Sequence, residues 1–380
     1  MKFAYIIDDV AKPNILQHET AKLNHIDFLR GIAVILVVIT HVSLTDVHIS
    51  EFVRVKLLFG QTGVQLFFFL SAYTLCLSMY QRKETNQVKN FYLRRFFRIA
   101  PLYYVGIFIY FIVFKVPLLN QHGPLQYYPS FSKKNILLNV LFVHGFNIKA
   151  YNYVVPRGWS ISTEMIFYVM FPFVFSLFSK IKKTTNYLLL PIAALLIANM
   201  YMWLAYLIYH EEVFTGHFFF AFILNQLPVF TVGITYFFLD KAGLIKIHKI
   251  ISAIAFVLLF AVSYKLMGYL QHNINLPIFL VSISFGFLFS FFKDCEFELP
   301  LLRRIGQLSY SIYICHFLFA YPLSYKISML IGDKINGYVV FVINLLITLF
   351  LSTLTAIISE KLIEKPGINL GKFFIKKINS

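Results

Sequence analysis

The chain has 380 residues, of which 59% are hydrophobic, 18% aromatic and only 13% charged, with a formal net charge of +17. Soluble domains carry about 25% charged residues, so this composition excludes an ordinary soluble fold; successive apolar runs of spanning length define an all-α, polytopic transmembrane helical bundle, and the alternating segments of about ten residues expected of a closed β-barrel do not occur. The basic excess lies in short loops between apolar runs, without a zinc-finger or recognition-helix pattern, which points to topology and membrane lipids and away from nucleic acid.

Residues 1–24 are mixed in character and read as an N-terminal cytosolic segment. About ten spans follow, near 26–44, 57–79, 99–115, 162–179, 187–209, 217–238, 251–268, 276–292, 308–330 and 336–358. The first is preceded by polar sequence and lacks a small-residue cleavage site, so it reads as a retained span. An even number of spans places both termini on one side. With the N-terminus cytosolic, the inside loops collect Arg82, Lys89, Arg94, Arg95 and Arg98, then Lys180, Lys182 and Lys183, then Lys241, Lys246 and Lys249, then Lys293, Arg303 and Arg304. The outside loop after the fifth run reads HEEVFTG instead. This asymmetry follows the positive-inside rule. The organisation is therefore a membrane core at 25–360, with a long outside loop at 116–161 able to cover an entrance, and a basic cytosolic tail at 361–380. Within that loop Ile136–Phe146 is apolar but too short to cross, and suits an interfacial or re-entrant piece. Cys76, Cys295 and Cys315 form no metal-ligand pattern.

Chemistry concentrates at a few positions. The first span opens NHIDFLRGIAVILVVITHVS, with Arg30 at its start and His41 eleven residues later. On a helix they are roughly 16 Å apart along the axis. Arg30, with Asp27 beside it, is either a positive-inside anchor or a guanidinium for a phosphate or carboxylate. His41 is either an interhelical hydrogen-bonding residue or a general base. Gly60 and Gly63 open the second span and permit close helix approach, with Ser71 further in. The stretch NFYLRRFFRIAPLYY puts Arg94 and Arg98 on one helix face, as a lipid anchor or a phosphate site, and Pro101 starts or kinks the next span.

Counting inward along the fourth span puts Glu164 at nearly the depth of His41, where a carboxylate can orient an imidazole and stabilise the imidazolium. Ser309, Tyr313 and His316 follow spacings of four and three, and so form a polar stripe on one helix face. Glu364 with Pro366 reads as a helix-ending interfacial element.

Taken in this order and spacing, the motifs resemble those of the bacterial integral-membrane acyltransferase-3 family over nearly all of residues 22–368. The matching features are Arg30 and His41; Gly60 to Tyr73, with Ala72 where a glycine is usual; Arg94, Arg95, Arg98 and Pro101; Trp159 and Glu164; Ser309 to His316; and Glu364 with Pro366. The resemblance implies transfer of an acyl group, usually acetyl from cytosolic acetyl-CoA, to a hydroxyl of a cell-envelope polysaccharide or lipid-linked sugar, at the bacterial cytoplasmic (inner) membrane. It implies His41 as base or acyl-relaying residue with Glu164 as its supporting acid. Arg30, Arg94 and Arg98 would meet the CoA phosphates. The residues themselves leave Ser309, Tyr313 and His316 either lining a ligand path, as cofactor-binding groups, or satisfying each other across helices. Some members carry an additional soluble hydrolase-like domain. None is present up to Ser380, which implies a separate envelope glycan-assembly partner or a one-step mechanism. The alternative for the same polar interior is a transporter or acyl-group exporter without ester-forming activity.

Overall fold

In hydrocarbon every backbone N–H must bond within its own segment, so long apolar runs become helices. The computed structural model describes residues 15–46, 48–82, 84–115, 130–211, 213, 217–269, 274–293, 295 and 299–379. Most of the expected N-terminal segment (1–14) and the first part of the expected outside loop (116–129) lie outside the described residues. The helices are α1 (Ile15–Thr45), α2 (Glu51–Leu58), α3 (Gly63–Gln81), α4 (Gln87–Lys115), α5 (Lys133–Val140), α6 (Trp159–Ser179), α7 (Leu189–Tyr209), α8 (His217–Ala221) and α9 (Ile223–Lys241). They continue as α10 (Lys249–Tyr269), α11 (Asn275–Lys293), α12 (Pro300–Gln307), α13 (Ser309–Cys315), α14 (Phe317–Ala320), α15 (Pro322–Ile331), α16 (Gly337–Ser359), a π-helical turn (Glu360–Glu364) and α17 (Lys365–Asn379).

Among the described residues nine helices are long and apolar enough to span, or ten when Ser309–Ala320 and Pro322–Ile331, bent by 41°, count as one. Pro322, lacking an N–H, accounts for the bend. The chain is a multi-pass, all-α membrane protein. α3 and α9 lie in the middle of the bundle, whereas Ile254, Val257 and Leu258 of α10 and Leu346 and Phe350 of α16 are exposed on its outside, where lipid is their solvent.

Two close approaches set the depth of everything else. A Cβ on Gly60 would lie 2.7 Å from the Leu36 carbonyl oxygen, and one on Gly63 would collide with that of Ala33. As α3 advances it therefore runs back along α1, from the His41 end to the Arg30 end. Ser71, eight residues beyond Gly63, is about 12 Å further toward the Arg30 end. On the other side of α1, Gly306 of α12 abuts the Asp27 carbonyl so tightly that no Cβ fits. Gly306→Ala is thus expected to force these backbones apart at about 1–3 kcal/mol, the usual cost of overpacking. A lowered thermal midpoint of the detergent-purified protein reads this effect, and an unchanged midpoint would mean the helices separate freely.

Three expectations change. Of the two readings of Pro101, starting or kinking a span, only the start falls away, because α4 already begins at Gln87 and carries Pro101 in its interior. The expected tail is helical from 361 to 379: Glu364 and Pro366 lie within a continuous helical run, and α17 turns its small residues toward α4. Gly367 and Gly371 admit Pro101 and Phe97, and the Phe97 and Phe374 rings stack at 5.5 Å. Finally, residues 130–158 fold into the bundle. Asn139 accepts a hydrogen bond from Tyr103 of α4 at 2.7 Å, and Ser162 of α6 accepts one from the Gly145 N–H at 2.9 Å. As a result α6 begins deep, with Trp159 edge-on to Phe68 of α3 at a centroid distance of 6.1 Å.

Candidate active site

One cavity, with about 670 Å³ of empty space including its open mouth, lies between α1, α3, α4, α6 and α13. Its charged lining is Arg30, Arg95 and Arg98 against the single carboxylate Glu164. Arg30 is held by Asp27 Oδ1 and by Thr74 Oγ1, each at 3.4 Å. Arg95 lies over the Phe91 and Tyr168 rings, 5.7 Å from each centroid, and its buried Nε has no protein partner. The two rings hold the Arg95 guanidinium in the cavity wall.

Glu164 Oε1 accepts from Ser71 Oγ at 2.6 Å and Tyr168 Oη at 2.5 Å. Both donors come from helices fixed by the backbone contacts above, so the carboxylate is oriented at the Arg30 end. Ser309 and Tyr313 line the same cavity. The Tyr313 hydroxyl lies 2.6 Å from that of Ser160 and donates to the Arg157 carbonyl at 3.2 Å. Arg157 itself sits at φ 54°, a left-handed backbone that a non-glycine residue holds only when its surroundings impose it. Nearby, Ser311 donates to Glu364, and Ser359 donates to Ser311 at 2.9 Å, so the π turn supplies the acceptor for α13.

The second part of the site is a pair of imidazoles. His316, at the α13–α14 junction, is fully buried and His41 nearly so. His316 Nε2 lies 3.2 Å from His41 Nδ1, and the ring centroids are 5.1 Å apart. The Phe317 ring packs against His41 at 4.5 Å, at an angle of 64°. Tyr313 links the two parts: it lines the cavity, and its ring centroid is 5.8 Å from that of His316.

Three sequence expectations are corrected here. His41 and Glu164 share no hydrogen bond or ion pair. The depth count assumed that α6 starts at a membrane face, whereas the infolded segment before Trp159 starts it lower, at the Arg30 end. Arg94 turns away from the cavity and pairs with Glu84 at 2.9 Å. Burial pushes the Glu84 carboxyl up, but hydrogen bonds from Arg94 and Asn90 outweigh this and hold it below its ordinary range. The cationic face therefore runs through Arg95 and Arg98, three residues apart, where spacing alone had favoured Arg94 and Arg98. His316 does not line the cavity and bonds to His41. Arg95, Tyr168 and Arg157 were not singled out as site residues. The only signal for Arg95 was its place in the basic stretch, and Tyr168, one turn after Glu164, is legible by spacing once Glu164 is chosen.

The class defined by fold and site is an all-α membrane bundle that places a cavity lined by three arginines next to a buried imidazole pair. The chain belongs to the acyltransferase-3 family, whose acyltransferase domain matches residues 23–359. It is similar to a peptidoglycan O-acetyltransferase (OatA) of Listeria monocytogenes serovar 1/2a, 27% identical over 316 residues, covering 77% of this chain and 48% of that protein. It is also similar to a Staphylococcus aureus (strain COL) protein provisionally named an O-acetyltransferase, 24% identical over 373 residues, covering 90% of this chain and 57% of that protein. The chain thus spans about half the length of the curated relatives it matches. No solved structure matches it.

Proposed function

We propose that this protein is a membrane O-acyltransferase that moves an acetyl group from acetyl-CoA to a hydroxyl of a cell-envelope polysaccharide or lipid-linked sugar. The observation that carries the reading is the joining, through Tyr313, of a three-arginine cavity to the His41–His316 pair. Acetyl-CoA supplies an acyl carbon activated as a thioester, together with phosphates that suit arginine. Arg30, Arg95 and Arg98, which line the cavity, hold those phosphates. His41 takes the proton of the acceptor hydroxyl as its oxygen bonds to the acyl carbon. The C–S bond breaks, and His41 returns the proton to the departing thiolate.

In this reading both termini and the arginine cavity face the cytosol of a bacterium, consistent with the loop charges, and His41 lies toward the outer face where a glycan acceptor enters. Envelope glycan-assembly proteins are its natural partners. The reading is supported by kinship with O-acetyltransferases. The test is transfer of label from radiolabelled acetyl-CoA to envelope glycans by the purified protein in proteoliposomes. Alkali-labile label on the glycan is the expected result, and label that remains on CoA would sink the reading.

A further inference from the structure

The His41–His316 contact specifies more than proximity, because one end of the chain of hydrogen bonds has a fixed polarity. His316 Nδ1 lies 3.1 Å from the Ile312 carbonyl oxygen, one turn back on the same helix. A carbonyl oxygen can only accept, so neutral His316 carries its proton on Nδ1. Its Nε2 is then a bare lone pair, 3.2 Å from His41 Nδ1. Two lone pairs facing each other at that distance in a buried site would leave both unsatisfied, so His41 Nδ1 must be the donor. Neutral His41 therefore has its proton on Nδ1 and its free lone pair on Nε2.

We propose that His316 is a positioning residue that locks His41 in the Nδ1–H tautomer, with the Ile312 carbonyl setting the polarity of the relay, so that His41 Nε2 is the atom that exchanges protons during acyl transfer. The inference deepens, and in its catalytic consequence rests on, the acetyl-transfer reading above. Nε2 gains the hydroxyl proton as the new ester bond forms and the thioester C–S bond breaks; the proton then passes from Nε2 to the CoA thiolate. Throughout, Nδ1–H stays bonded to His316 Nε2, so the transient imidazolium keeps an acceptor. The arrangement performs the task of the carboxylate in a Ser-His-Asp triad, tautomer and orientation, with a neutral ring backed by a backbone carbonyl. The placement of the two rings serves this role: His41 comes from α1, His316 from the junction of the bent α13–α15 segment, and Phe317 covers the pair.

The test compares full-length wild type, His316→Phe and His316→Gln. Phenylalanine keeps a ring and removes the acceptor, while glutamine offers its amide oxygen as a replacement. His316→Phe should lower kcat by about 10³–10⁴-fold, the scale of a wrong tautomer in a triad, with the KM for acetyl-CoA unchanged, and His316→Gln should recover roughly tenfold or more of that loss. In ¹⁵N-histidine spectra of the wild type, the His41 signal (identified by its loss in His41→Gln) should show a protonated Nδ1 and a bare Nε2. A bare Nδ1 overturns the proposal outright. So does a His316→Phe loss expressed only in the acetyl-CoA KM, which would return His316 to the donor site, or equal losses in the Phe and Gln variants. A wild type that transfers no acetyl group defeats the functional reading alone, since the spectra still decide the tautomer; they also decide it if His316→Phe fails to fold.

Discussion

His41→Ala is expected to reduce acetyl transfer by about 10²–10⁴-fold, the usual contribution of a positioned general acid–base group. The cause is removal of the group that takes the acceptor proton, with the donor cavity left in place. The expected signature is a collapse of kcat with nearly unchanged acetyl-CoA affinity, because Arg30, Arg95 and Arg98 lie at the other end of α1. Steady-state transfer together with a separate CoA-binding titration measures both quantities. Removing a buried imidazole also leaves His316 Nε2 without its donor and Phe317 without its edge contact. His41→Gln, which retains more of the volume, is the companion variant, and a thermal midpoint close to wild type makes its kinetics interpretable. Undiminished transfer by a correctly folded His41→Ala protein would reject the assignment.

The second large effect distinguishes two adjacent arginines. Arg95→Ala is expected to raise the KM and Kd for acetyl-CoA about 10- to 100-fold, since hydrogen bonds involving a charged group contribute about 1.5–3 kcal/mol. Arg94→Ala should leave donor affinity within about twofold, because Arg94 is committed to a partly exposed ion pair with Glu84, and such pairs contribute about 0–1 kcal/mol. The measurement is a titration of CoA against each variant. Equal losses from the two would show that the basic stretch acts through bulk charge alone, and a dominant loss from Arg94 would mean that α4 presents its other face to the donor.

Both predictions depend on geometry that the residue pattern indicated unevenly. Arg30, Arg98, Ser309 and Tyr313 were expected at one site and line one cavity, because helical spacing alone places Ser309 and Tyr313 together and Arg30 opens its span. Arg94 was chosen over Arg95 since spacings of three and four both share a helix face; only the position of Glu84 decides which arginine turns inward. Glu164 was assigned to the His41 level by counting from a presumed membrane face. Hydrogen bonds of the 130–158 segment to α4 and α6 lower the start of α6, and local sequence carries no record of that. His316 was grouped with its neighbours on α13, whereas its partner, on α1, is 275 residues away in the chain.

The sequence by itself determined the all-helical membrane character, the approximate number of spans and the positions of the polar residues. Those depend on composition, period and run length, which are local quantities governed by the cost of leaving backbone groups unpaired in lipid. Only the tertiary structure decided which polar groups meet. Depth in a bundle is set by where backbones can touch, at Gly60 and Gly63 against α1 and at Gly306 on its other side, and by how far a loop folds inward before the next helix begins. Those contacts put Glu164 with the arginines and His41 with His316, a partition no spacing along one helix could express.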